Sequence, residues 1–100
     1  MYYVYMLRCR NNTIYTGITT DVGRRMEQHS GILPDGAKFT RSHSPEKLEA
    51  VWSCENRSLA SKLEARIKKL RKEQKEQLIS ENRMDILTGI EIEKYKRELI

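Results

Sequence analysis

The 100 residues contain only two cysteines, two prolines, one phenylalanine and one tryptophan. Cys9 and Cys54 are too few and too far apart for a disulfide scaffold, so both read as packed thiols of a reducing compartment. A zinc site assembled from Cys9, Cys54, His29 and His43 is disfavoured, because no pair stands at finger or knuckle spacing. No Gly/Ser/Pro-rich stretch marks a seam, which implies one domain with one modest core. No apolar run approaches membrane-spanning length, and Arg8 and Arg10 interrupt the apolar N-terminus too early for a signal-peptide core. The expectation is a cytoplasmic protein without membrane association.

Charge is abundant. Lys and Arg number 19 against 14 Asp and Glu, a net +5. Residues 57–75 hold eight basic side chains against Glu64 and Glu73. A cluster of that kind suits a polyanion, since each phosphate it neutralises releases condensed counterions. A solvated helix face laced with ion pairs accounts for it equally well.

The patterning predicts an α+β domain on a small three-stranded antiparallel sheet flanked by helices. Residues 2–9, "YYVYMLRC", are apolar on both faces, as a covered central strand is. "RNNT" supplies a turn, and "IYTGI" returns as the second arm of a hairpin. Thr19, Thr20 or Asp21 can cap a short helix over about 21–29, weakened by Gly23. Residues 30–46 read as a long exposed loop, and residues 47–54 as a third strand anchored by Trp52. Asn56 or Ser58 can cap a second helix whose Leu59, Leu63, Ile67 and Leu70 form one apolar stripe. Whether that helix continues past Lys72 is open from the sequence. "TGIE" reads as a capping box, Thr88 with Glu91, opening a last short helix with Ile92, Tyr95 and Leu99. The body of the domain is thus residues 1–80, with 81–100 a helical extension of it.

"YVY" at 3–5, "YTG" at 15–17, "RRMEQH" at 24–29 and Glu64 in the second helix resemble, in that order, the GIY-YIG nuclease superfamily over residues 2–79. "YTGIT", "RRMEQH" and "GAKFTRS" look most like its small stand-alone bacterial members. Tyr3 stands where the first triplet has glycine, Ile18 where some repair members carry lysine, and Lys75, Glu76 and Gln77 where some have an asparagine. The resemblance implies a metal-dependent endonuclease hydrolysing DNA phosphodiesters. Tyr15 matches the general base and Tyr5 a tyrosine that orients the nucleophile. Arg25 matches the arginine that contacts the scissile phosphate, His29 a position occupied by tyrosine in some members, and Glu64 the ligand of one Mg²⁺ or Mn²⁺. Gly17, Arg24, Lys38, Arg41, Lys68 and Arg71 are the candidates for contacting nucleic acid.

The residue types suit that chemistry. Phosphodiester hydrolysis needs a deprotonated water, cations against the charge developing on phosphorus, and help for the leaving oxygen. A hard cation prefers carboxylate oxygen and keeps waters beside a phosphate. The plain alternative for Glu64 is an i,i+4 ion pair with Lys68. A phenol has a pKa of ~10, so Tyr15 needs a neighbour such as Arg25 to serve as a base near neutrality. Arg25 and His29, four apart, share a helix face, and His29 titrates in the range useful to a base. Because strand side chains alternate, Tyr5 and Tyr15 share a face only if paired residue numbers sum to an even total, which requires an odd-length loop or a bulge. Structure-selective DNA cleavage in repair or recombination is the expected role. The rivals are a nucleic-acid-binding module with little cleavage, and a protein-interaction domain docking a partner or a second copy through Ile90, Ile92, Tyr95 and Leu99.

Overall fold

The computed structural model describes residues 1–29 and 45–100, except for the side chains of residues 29, 45 and 46. The elements in chain order are β1 (Tyr2–Cys9), β2 (Ile14–Thr19), α1 (Val22–His29), β3 (Pro45–Cys54), α2 (Arg57–Lys68), α3 (Lys72–Glu81) and β4 (Lys96–Arg97). Short 3₁₀ turns occupy Met84–Ile86 and Ile92–Lys94. The strands form one antiparallel sheet in the order β2-β1-β3-β4.

The hairpin turn decides what the sheet can do. Asn12 takes the left-handed conformation at φ 66°, and its N–H donates to the Cys9 carbonyl at 2.9 Å. Cys9 N–H donates to the Thr13 carbonyl at 2.8 Å, leaving a connection of residues 10–12. This is the three-residue hairpin loop with a left-handed last residue, a conformation asparagine tolerates well. It sets Tyr5 opposite Gly17 and Leu7 opposite Tyr15. Those numbers sum to an even total, so Tyr5 and Tyr15 point to the same face.

Both faces of β1 are covered, as its continuous apolar run implied. On one face Val4, Met6, Ala50 and Trp52 pack with Ala60, Leu63 and Ile67 of α2 and Leu78 of α3. On the other, Tyr5, Leu7 and Val51 pack with Val22 and Met26 of α1. Helix α1 is started by Asp21, whose Oδ1 accepts from Arg24 N–H at 3.1 Å. Helix α2 is started by Asn56, whose Oδ1 accepts from Leu59 N–H at 2.9 Å.

The second helical stretch splits between Lys68 and Lys72, with Arg71 in an extended conformation (φ −71°, ψ 160°). No glycine or proline marks the break. Its cause is tertiary, because a straight helix would carry Leu78 about 16 Å beyond Ile67, whereas both are fully buried in the same core. Glu76 adds a polar tie, accepting from both terminal nitrogens of Arg8 at 2.6 and 2.9 Å.

The C-terminal segment departs from the expected helix. Residues after Thr88 form a 3₁₀ turn and then β4, which pairs Arg97 with Trp52 and Lys96 with Ser53, making the sheet four-stranded. Tyr95 is buried and donates its hydroxyl to the Leu59 carbonyl at 2.6 Å. Arg97 lies over the Trp52 ring at 5.0 Å and donates to the Leu78 and Ile79 carbonyls at 3.2 and 3.0 Å. These contacts outweigh a capping box, whose side-chain bond is worth only about 1 kcal/mol. They also remove Tyr95 from any docking role, since it belongs to the domain's own core.

Candidate active site

Tyr5, Tyr15 and Arg25 meet on the α1 side of the sheet. The two phenol rings stand 6.2 Å apart between centroids and are tilted by 42°. Arg25 Nε donates to the Tyr5 hydroxyl at 3.2 Å, and the guanidinium is close enough to Tyr15 to interact with it electrostatically. Gln28, one helical turn on, accepts from Arg25 Nη1 at 2.7 Å and fixes the guanidinium from the helix side. Gln28 went unnoticed in the sequence, although its i,i+3 spacing from Arg25 is the signal that would have found it.

The two phenols differ in environment. Tyr5 is fully buried. Burial pushes its pKa up from 10.0 to about 12; the Arg25 hydrogen bond acts the other way, and Tyr15 adds to the rise. Tyr5 is therefore a neutral hydrogen-bonding phenol at any physiological pH. Tyr15 is half-buried and retains access to solvent. Burial disfavours the Arg25 charge, but the interactions with Tyr5 and Tyr15 outweigh it and hold its pKa above the ordinary value.

Gly17 makes this packing possible. The Tyr5 ring lies across it, and a Cβ added there would stand 2.5 Å from the Tyr5 hydroxyl oxygen, 2.7 Å from Cζ and 3.1 Å from Tyr15 Cε2. The β1–β2 register runs unshifted through this position, so no bulge is involved. The close approach expected of a substrate at Gly17 is made by Tyr5 instead, which leaves Gly17 itself buried.

Glu64 is carried by a different element. It is on α2, which packs chiefly on β2 and β1 from the face opposite the phenols. Its side chain is 24% exposed and Oε2 is 3.4 Å from Lys68 Nζ, the ion pair that the spacing alone suggested. Because β2 is the outermost strand on this side, the two faces meet around its edge. Among the described residues no three His, Cys, Asp or Glu side chains gather. A single carboxylate suits a hard cation that keeps several waters and phosphate oxygens, and not a cation that needs an all-protein cage.

Of the nucleic-acid candidates, Arg71 forms an exposed ion pair with Glu73 at 3.0 Å, as Lys68 does with Glu64. Arg24 is exposed on α1, and Arg25 beside it lines the same groove. His29 ends α1, but its side chain lies outside the described residues, as do Lys38 and Arg41.

The family model described as the GIY-YIG catalytic domain matches residues 1–77. The UPF0213 protein FN1575 of Fusobacterium nucleatum is 48% identical over 79 residues, which cover 79% of this chain and 77% of that one. The UPF0213 protein VNG_2274C of Halobacterium salinarum is 45% identical over 78 residues, covering 78% of this chain and 99% of that one. The solution structure of the UPF0213 protein BH0048 from Bacillus halodurans superposes with a TM-score of 0.51 at 42% identity, covering 80% of this chain and 84% of that one. With a family match over residues 1–77 and relatives this similar, the chain belongs to the GIY-YIG nuclease family.

Proposed function

We propose that the protein is a metal-dependent endonuclease that hydrolyses DNA phosphodiester bonds. The observation that carries this reading is the convergence of Tyr5, Tyr15 and Arg25 on one face, with the guanidinium bonded to Tyr5 and beside Tyr15. Arg25 places a permanent positive charge where a phosphate gains negative charge during attack, a role worth about 10²–10³ in rate. Tyr15, the more accessible phenol, accepts the proton of the attacking water or hands it on to bulk solvent. Tyr5 stays protonated, donates from its hydroxyl and holds Arg25 in place. His29, four residues after Arg25, is positioned by spacing to share in the proton transfer.

Glu64 would hold one Mg²⁺ or Mn²⁺, which supplies charge neutralisation at phosphate and leaving oxygen when bound. The carboxylate would serve the phenol site from around the edge of β2. The basic groups Lys68 and Arg71 can exchange their exposed carboxylate partners for phosphate, because such pairs contribute little. Discrimination among DNA sites would rest on backbone shape, the property that distinguishes branched and nicked intermediates of repair and recombination.

A second reading, a nucleic-acid-binding module without appreciable turnover, is favoured by one observation: Glu64 is engaged by Lys68, on a helix whose apolar residues pack against the face opposite the phenols. Nicking of supercoiled and branched DNA in Mg²⁺ or Mn²⁺, against an EDTA control, separates the two. An endonuclease cuts only with the metal and ceases to cut as Glu64→Ala. A binding module leaves the same trace products in every lane.

A further inference from the structure

Among the described residues, three of the eight basic side chains of residues 57–75 are held in ion pairs. Lys68 pairs with Glu64, Arg71 with Glu73 and Lys72 with Glu76. Arg66 is directed at Gly89, where an added Cβ would stand 2.6 Å from its Nη2. Among the described residues Lys62, Lys69 and Lys75 lack an ion pair, as does Arg57, the first residue of α2, which is set apart from them by its place beside Arg24 and Arg25. It is exposed, and among the described residues neither it nor Arg24 forms an ion pair.

Arg57 and Arg24 open onto one groove of about 370 Å³, and Arg25 of the phenol cluster lines it too. The groove passes the end of β2 at Ile18, Thr19 and Thr20, reaching from α1 to the start of α2. Its one acidic residue, Asp21, has Oδ1 committed to the Arg24 backbone N–H. A cation at the first position of a helix opposes the helix dipole, at a cost of about 0.3–1 kcal/mol. Three guanidiniums around one concavity concentrate positive charge there, which suits a chain of phosphates, because each contact releases counterions.

We propose that this groove binds the DNA backbone beside the scissile phosphate, with Arg57 and Arg24 as the clamp that leads the strand to Arg25. The endonuclease reading supplies only which phosphate is scissile; the groove as a polyanion site stands without it. Arg57 and Arg24 hold phosphates and carry no sequence information.

The test is the salt dependence of DNA binding by fluorescence anisotropy in EDTA, where no cleavage intervenes. Arg57→Ala and Arg24→Ala should each weaken binding several-fold and reduce the slope of log K against log [NaCl] by about 1, the value for one phosphate contact. Lys96→Ala, on the opposite edge of the sheet, should leave the slope unchanged. An unchanged slope in a correctly folded Arg57→Ala protein, or an equal loss in Lys96→Ala, would overturn the proposal. The slope is read without cleavage, so the groove and the endonuclease reading fail separately. A slope lost in a protein that never cuts DNA retains the groove and removes the nuclease; cutting with an unaltered slope does the reverse.

Discussion

Gly17→Ala is the substitution whose outcome the packing determines most tightly. The new methyl would stand 2.5 Å from the Tyr5 hydroxyl and 2.7 Å from Cζ, closer than any carbon tolerates. Tyr5 has no exposed surface into which to swing, so the ring must shift into Leu7, Val51 and their neighbours or push β2 outward. Overpacking of this kind costs about 1–3 kcal/mol. For a domain of this size each kcal/mol lowers Tm by about 4–8 °C, so a fall of roughly 5–20 °C is expected in thermal denaturation followed by circular dichroism. The same displacement breaks the 3.2 Å bond from Arg25 to Tyr5, and DNA cleavage should fall with it. The control is the Tyr5→Leu background. Gly17 lies outside the left-handed region, so once the ring is gone alanine should be neutral or stabilising, by up to about 1 kcal/mol through the reduced freedom of the unfolded chain. An equal loss in both backgrounds would refute the claim that Gly17 exists to accommodate Tyr5.

Three further outcomes follow from the polar contacts. Tyr5 has its folded pKa raised from 10.0 to about 12. Between those values the unfolded chain has lost the phenolic proton and the folded one has not, so stability falls as pH rises from 10 to 12. The wild type should lose on the order of 2–3 kcal/mol over that window that Tyr5→Phe does not lose, as urea midpoints would show. Arg97→Ala removes a ring contact with Trp52 and the side-chain donor to the Ile79 carbonyl, and leaves the Leu78 carbonyl with the Asn82 N–H. A loss of about 2–4 kcal/mol is expected from urea unfolding, and one below about 0.5 would contradict the C-terminal docking described. Lys68→Gln frees Glu64 from its exposed pair. Half-maximal cleavage at saturating DNA should then need about twofold less Mg²⁺, the factor that roughly 0.3–0.5 kcal/mol provides.

Local rules carried the sequence reading as far as local rules reach. Strand alternation gave the condition for Tyr5 and Tyr15 to share a face, an odd-length connection or a bulge, and the three-residue turn at 10–12 meets it. The stripe of Leu63 and Ile67 located α2. What escaped was set by distant partners. The break before Lys72 lacks glycine and proline because the position of Leu78 in the core causes it. The two-residue β4 has no periodicity to detect, and Arg97 looks like any surface cation until Trp52 lies beneath it. Among the site residues, Arg25 and the tyrosines were legible as a motif, whereas Gly17 was read toward a substrate when a ring from the neighbouring strand covers it. Arg57 was hidden in a basic run, because linear charge density does not tell which cations their neighbours neutralise. Residues 81–100 illustrate the same limit from another side. The Halobacterium salinarum relative is matched over 99% of its length by 78 residues of this chain. In this chain residues 81–100 put Leu87 and Tyr95 into the core and lay Arg97 over Trp52 at the β3 edge.

The central claim is that the phenol–guanidinium face and the α2 carboxylate act on one phosphate. Single-turnover cleavage of one labelled DNA at saturating protein, with binding measured alongside, tests it for wild type, Tyr15→Phe, Arg25→Ala and Glu64→Ala. The account predicts a rate about 10²-fold or more lower in each variant, with the affinity of Tyr15→Phe and Glu64→Ala within a few-fold of wild type. Cleavage by Tyr15→Phe and Glu64→Ala at the wild-type rate would contradict it.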